Sequence, residues 1–98
     1  MSTDQTFHDR DTERFARGEH VAKLQDVPRQ KGLALLARLY AATELRDLAS
    51  PPSTRLEALL GDRKGQYSIR INLKWRICFE WSEGARKVFN IEIVDYHS

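Results

Sequence analysis

The spacing of the apolar residues changes once along the chain, and the change falls at Pro51-Pro52. Upstream, Leu35, Leu36, Leu39 and Tyr40 recur three and four residues apart, the spacing of a helix that buries one stripe. Downstream the spacing is two. Tyr67, Ile69 and Ile71 alternate with Gln66, Ser68 and Arg70, and Trp75, Ile77, Phe79 and Trp81 with Arg76, Cys78 and Glu80. Phe89, Ile91 and Ile93 alternate in the same way with Asn90, Glu92 and Val94. Such alternation sends successive side chains to opposite faces of a strand. The short links at 72–74 and 82–87 suit an antiparallel meander. The predicted fold is therefore α+β: helices first, then a three-stranded antiparallel sheet whose apolar face the long helix covers.

The long helix is expected from Pro28 to about Leu48, with Asp26 as its N-cap and the proline tolerated in the first turn. Ala34, Ala37, Ala41 and Ala42 support it by propensity, and the tandem prolines force an extended exit. A shorter helix starts at Asp11, turns Phe15 inward and stops at Gly18. Val21 and Leu24 follow at helical spacing, Phe7 is assigned to a short edge strand, and residues 1–6 read as frayed. A chain of 98 residues has room for a single domain, 1–98. With Cys78 as its one cysteine it forms no internal disulfide, which suits a reducing cytoplasm. No apolar run has the length of a secretory leader or a membrane span, so a soluble cytoplasmic protein is expected.

The net charge of +2 conceals an uneven distribution. Residues 1–50 carry eight basic and eight acidic side chains, whereas residues 55–76 hold Arg55, Arg63, Lys64, Arg70, Lys74 and Arg76 against Glu57 and Asp62. A local surplus of cations attracts polyanions without choosing among them. Alternation puts Arg70 and Arg76 on the polar face of neighbouring strands, exposed and close enough to share one anion. Forked guanidinium groups on a rigid sheet are suited to phosphate and to charge that develops on it. The competing reading is two solvent-facing strand arginines paired with Glu80 or Glu92.

Other motifs carry less. His8, His20 and His97 lack metal-ligand spacing, and one cysteine cannot complete a zinc set. The glycines of Gly61-Asp62-Arg63-Lys64-Gly65 lack the helix that a phosphate-binding loop needs and read as a turn. Cys78 reads as a packed residue, with no base at a spacing that would make it a nucleophile. At the C-terminus His97 could exchange a proton near neutral pH, and Tyr96 could stack on an unpaired base; alone, the pair reads as a frayed tail.

Four stretches point to a family. Ala42-Thr43-Glu44-Leu45-Arg46-Asp47-Leu48 continues through Pro51-Pro52 to Arg55-Leu56-Glu57. Gly61-Asp62-Arg63-Lys64-Gly65-Gln66 leads into Ser68-Ile69-Arg70-Ile71-Asn72, then Trp75-Arg76-Ile77-Cys78-Phe79, and last Val88 to His97. In this order, over residues 33–97, they resemble HigB-type toxins of the RelE superfamily. The segment before Pro28 matches only loosely.

The resemblance implies a compact RelE-like domain, two N-terminal helices packed on an antiparallel sheet. It implies a type II toxin that cuts messenger RNA in the decoding site of the small ribosomal subunit and so inhibits translation. The implied partner is a HigA-like helix-turn-helix antitoxin, through which alone operator DNA is bound; no membrane is involved. In the implied chemistry the RNA's own 2′-hydroxyl attacks the adjacent phosphate, leaving a cyclic phosphate and a free 5′-hydroxyl. That requires neither metal, cofactor nor protein nucleophile. Arg70 and Arg76 match positions that act on the phosphate, and His97 matches a C-terminal catalytic histidine. Arg55, Arg63, Lys64, Lys74 and Tyr96 then fall to the RNA- and ribosome-binding surface.

Two departures qualify the match. Glu57 and Leu60 stand where better-studied relatives place a histidine and a lysine. Glu57 can serve as the base, but leucine carries no charge, and Arg63 or Lys64 would have to supply it. Strand parity also sets His97 on the side of Ile91 and Ile93, so it meets the arginines only if the chain end twists or curls. The alternative function is a weak or inactive binding module on the same scaffold, acting by ribosome or protein contact; Arg76 and His97 discriminate the two. A DNA-binding regulator is disfavoured, since no helix-turn-helix with a basic recognition helix is visible.

Overall fold

Asp9 opens the first helix. It is extended, and its carboxylate accepts a hydrogen bond from Thr12 N–H at 2.9 Å, so Asp9 rather than Asp11 caps α1 (Arg10–Ala16). The chain leaves this helix through Gly18, whose φ of +86° favours glycine. The structure, a computed structural model, describes residues 7–50, 52–85 and 87–95. The expectations for residues 1–6, Tyr96 and His97 lie outside them.

Helix α2 (Arg29–Ala41) packs on α1 through Gly32: a Cβ there would come within 3.0 Å of the Phe15 ring. Leu35, Leu36 and Leu39 are buried as the spacing predicts, but Tyr40 is 38 % exposed and falls off the stripe. The helix also stops seven residues short of Leu48. The Asp47 carboxylate accepts from the N–H groups of Thr43 and Glu44, at 3.2 and 3.1 Å, and from the Thr43 hydroxyl. That arrangement breaks the helical ladder and starts a separate 3-10 turn at Leu45–Ala49. Those backbone hydrogen bonds also hold the Asp47 carboxyl below its ordinary pKa. Beyond the turn, Pro52–Thr54 forms another 3-10 turn instead of extended chain, and the Thr54 hydroxyl donates to Leu48 C=O at 2.9 Å. Nor is Asp26 an N-cap. Pro28 holds that position, and Asp26 reaches Lys74 Nζ at 3.2 Å.

Four strands, not three, form one antiparallel sheet in chain order: β1 (Glu57–Ala58), β2 (Tyr67–Arg70), β3 (Trp75–Ser82) and β4 (Lys87–Asp95). The two residues of β1 are too few to show alternation. In β4 the predicted parity fails halfway. Asn90 adopts φ +56°, and the register with β3 shifts between Cys78↔Glu92 and Glu80↔Phe89, so two residues of β4 face Phe79. The bulge buries Val88 in place of Phe89, while Ile91 and Ile93 stay inward. Asn90 Nδ2 donates to Glu80 Oε2 at 2.7 Å and steadies it.

The apolar face of the sheet, Ile69, Ile71, Ile77, Phe79 and Ile91, joins Phe15, Leu36 and Leu39 in one core. Helices pack on one side only, as an α+β fold requires. The outer edge of β4 is covered as well. Phe7 bridges Ile91, His8 N–H donates to Ile91 C=O at 2.8 Å, and Ile93 N–H donates to Thr12 Oγ1 at 3.0 Å. An edge strand closed in this way offers little to a neighbouring chain. Among the described residues, no helix is long and apolar enough to cross a membrane.

Thr12 is fully buried and supplies the acceptor for the Ile93 amide. Thr12→Val keeps the shape but leaves that amide unsatisfied, which should cost about 1–3 kcal/mol. Urea unfolding should show a lower midpoint at unchanged slope, and Thr12→Ser should recover most of the loss.

Candidate active site

The register of the sheet writes a row of side chains across its polar face. Glu57 on β1 stands opposite Ser68 on β2, Ser68 opposite Cys78 on β3, and Cys78 opposite Glu92 on β4. Arg76 lies two residues before Cys78 and leans back over the row. Its Nη1 donates to Ser68 Oγ at 3.0 Å and pairs with Glu57 Oε1 at 3.3 Å. Arg76 is only 7 % exposed, which corrects the expectation of an exposed strand arginine. Three strands contribute to its seat, and alternation read one strand at a time does not reveal that enclosure. Its carboxylate partner is Glu57, neither Glu80 nor Glu92.

Arg70 is the direct cross-strand neighbour of Arg76, but its side chain makes no hydrogen bond or ion pair among the described residues. Like charges directly opposite repel, and the draw of Glu57 and Ser68 on Arg76 relieves this. The structure does not set Arg70 in the cleft that Arg76 lines. That cleft, about 480 Å³, is walled by Leu59, Arg63, Ser68, Arg76, Cys78 and Glu92, and by β4 from Ile93 to Asp95.

Arg63 enters from the turn at 61–65, which two positive-φ glycines make possible, Gly61 at +65° and Gly65 at +96°. Its Nη1 donates to Gln66 Oε1 at 3.0 Å and to Glu92 Oε1 at 3.3 Å. The remaining predicted cations do not line the cleft. Arg55 and Lys64 are exposed, and Lys74 pairs with Asp26 and lies 5.2 Å from the Trp75 ring centre. Among the described residues, no group of three His, Cys, Asp or Glu side chains is placed to hold a metal ion.

Cys78 is buried in the cleft floor. Burial pushes its thiol up, and Glu92 adds to the rise, while Arg63 and Arg76 oppose it. A protonated thiol is a poor nucleophile, which agrees with reading Cys78 as a packed residue. Ser68 was visible in the sequence only as one polar residue of an alternating strand. The signal that could have singled it out is its register with Glu57 and Cys78, which requires the two-residue strand β1.

Two helices packed on one face of a four-stranded antiparallel sheet form a compact α+β fold consistent with a RelE-like toxin. Residues 5–97 match the family described as the RelE-like toxin of the type II toxin–antitoxin system HigB, and the chain belongs to that family. The match reaches back through α1 to residue 5, well before residue 33. Two curated proteins are similar in sequence. Toxin HigB-1 of Vibrio cholerae is 45 % identical over 47 residues, 48 % of this chain and 50 % of that protein. Endoribonuclease HigB of Proteus vulgaris is 38 % identical over 74 residues, 72 % of this chain and 77 % of that one. The matched chain thus spans half the length of the first relative and about three quarters of the second.

The raised thiol gives a pH dependence with a definite sign. The folded protein keeps a proton that the unfolded chain releases as pH passes about 8.5, so the unfolded state binds fewer protons and stability falls as pH rises. Urea midpoints measured from about pH 7 to 10 should fall more steeply in the wild type than in Cys78→Ala. A disulfide reagent should modify Cys78 only under unfolding conditions.

Proposed function

We propose that this protein is a ribosome-dependent messenger-RNA endonuclease, acting in the cytoplasm and silenced by a HigA-like helix-turn-helix antitoxin. The type II toxin family to which it belongs implies an antitoxin partner. The observation that carries the reading is Arg76, a buried guanidinium fixed by Ser68 and Glu57 at the wall of an open cleft. A cation held this way is preorganised and stabilises developing charge without having to reorient during reaction.

In the proposed reaction the 2′-oxygen of the RNA forms a bond to the adjacent phosphorus as the bond from phosphorus to the 5′-oxygen breaks. The 2′-proton passes to a base and the leaving 5′-oxygen gains a proton, giving a 2′,3′-cyclic phosphate and a free 5′-hydroxyl. Glu57, a half-exposed carboxylate 3.3 Å from Arg76, is assigned the first proton. His97 is assigned the second on the strength of its match to the family's C-terminal histidine; Asp95, two residues earlier, lines the cleft. Arg76 stabilises the pentacoordinate phosphorus; Arg70, beside it on the neighbouring strand but outside the cleft, is assigned to an adjoining phosphate of the message. Arg55, Lys64, Lys74 and Tyr96 are assigned to the ribosome and the message around the cut. Operator DNA is contacted through the antitoxin.

Expression of the chain alone should arrest growth, and primer extension should map discrete cuts that disappear without ribosomes. Arg76→Ala should lower the cleavage rate about 10²–10³-fold. It should also cost about 1–3 kcal/mol of stability, because Ser68 loses the donor that satisfies its hydroxyl. Arg76→Lys should restore part of the rate, since an ammonium supplies charge without the fork. A folded Arg76→Ala protein that remains fully toxic would overturn the assignment, and a wild type that binds ribosomes without cutting would leave a binding module.

A further inference from the structure

Each end of the Glu57–Ser68–Cys78–Glu92 row is a glutamate, and each glutamate holds an arginine. Glu57 pairs with Arg76 and Glu92 with Arg63, both at 3.3 Å. The two arginines arrive from different places, Arg76 from the central strand and Arg63 from the turn at 61–65. They nevertheless line one cleft, with Cys78 on its floor. The same arrangement appears electrostatically: the Cys78 thiol senses Arg63, Glu92 and Arg76 together.

The two ion pairs are built differently. Arg76 has 8 % of its side chain exposed and shares Nη1 with a buried serine, so it is fixed. The Arg63 side chain is 41 % exposed, and Nη1 also donates to the Gln66 side-chain oxygen, outside the cleft lining. Charge makes the difference matter. Inside the cleft Arg63 meets the carboxylate of Glu92, and Arg76 meets that of Glu57 at its edge. Among the described residues, each cleft arginine already holds a glutamate, so a phosphodiester gains a cation there by exchange with a carboxylate. The Arg63–Glu92 pair is the one able to exchange, because a partly exposed pair is weakly held. A guanidinium that swaps a carboxylate for a phosphate keeps its charge-assisted hydrogen bonding.

We propose that Arg63 is the second phosphate-contacting cation of the cleft, and that Glu92 occupies its guanidinium until an RNA phosphodiester displaces it. This rests on the cleft being the RNA site, but it can be tested by binding, apart from cleavage. Arg63 thereby carries the charge that Leu60, 83 % exposed on the same turn, does not provide.

The experiment titrates the full chain with a 2′-O-methyl RNA trinucleotide, which cannot be cut, and follows the amides of Ser68, Cys78 and Ile93 by NMR. Glu92→Gln should bind several-fold more tightly than wild type. Arg63→Ala should bind about tenfold more weakly, the loss of one charge-assisted contact, and more weakly than Arg70→Ala. Arg63→Lys should fall between Arg63→Ala and wild type. The decisive arm is the double variant Arg63→Ala/Glu92→Gln. It should bind no more tightly than Arg63→Ala, because Glu92 acts through Arg63; a gain that persists in the double variant is general charge removal and overturns the proposal. Unchanged binding by folded Arg63→Ala overturns it too. If neither wild type nor Glu92→Gln shifts the cleft amides, the cleft is no phosphate site, and the cleavage reading falls with the proposal. Binding as expected without cleavage on ribosomes removes only the cleavage reading.

Discussion

A buried guanidinium is the constraint on which the polar face of this sheet is built. Removing an arginine from water costs several kcal/mol unless charge and hydrogen bonds are returned to it. Here Arg76 finds both on the same nitrogen, an oxygen of Glu57 and the hydroxyl of Ser68. Neither partner lies on its own strand. Their positions depend on β1 pairing with β2, on β2 pairing with β3, and on the register of both. A one-residue slip in either pair would turn Ser68 or Glu57 to the other face. The short strand β1, negligible as a source of core burial, is thus indispensable to the site.

The opposite face supplies the rigidity. Strand β3 is paired on both sides, and its inward residues Ile77 and Phe79 are fully buried against the helices. One strand therefore carries core residues and cleft residues in alternation, so the cleft inherits the order of the core. The bulge at Asn90 contributes locally. It lets β4 bury Val88 at one end together with Ile91 and Ile93, while Glu92 remains on the cleft at the other. A strand of strict alternation over the whole of β4 could not satisfy both ends.

How much of this the sequence revealed follows from the physics of each part. The period switch at the prolines was legible because burying one face imposes a periodicity on many residues at once, and the α+β architecture follows from it. The end of α2 was not legible, because it is set by a single carboxylate, Asp47, competing for two backbone amides inside a run of good helix formers. The bulge was hidden for a similar reason: one residue at φ +56° reverses parity without changing composition. Arg76 could be singled out by its strand and by family resemblance. Its burial and its choice of Glu57 depend on contacts eight and nineteen residues away in sequence, across strands whose register no single segment encodes. Arg63 was visible as charge in a basic window, yet its place in the cleft depends on the two glycines that shape its turn.

The central claim is that Ser68 and Glu57 hold Arg76 ready for a phosphate, so that orientation as well as charge drives the chemistry. Single-turnover cleavage of a message on programmed ribosomes by Ser68→Ala tests this most directly, because the variant keeps every charge in the cleft. The account predicts normal ribosome binding with a rate constant about 10- to 100-fold below wild type, the cost of misplacing a catalytic group. A folded Ser68→Ala protein that cuts at the wild-type rate would contradict it.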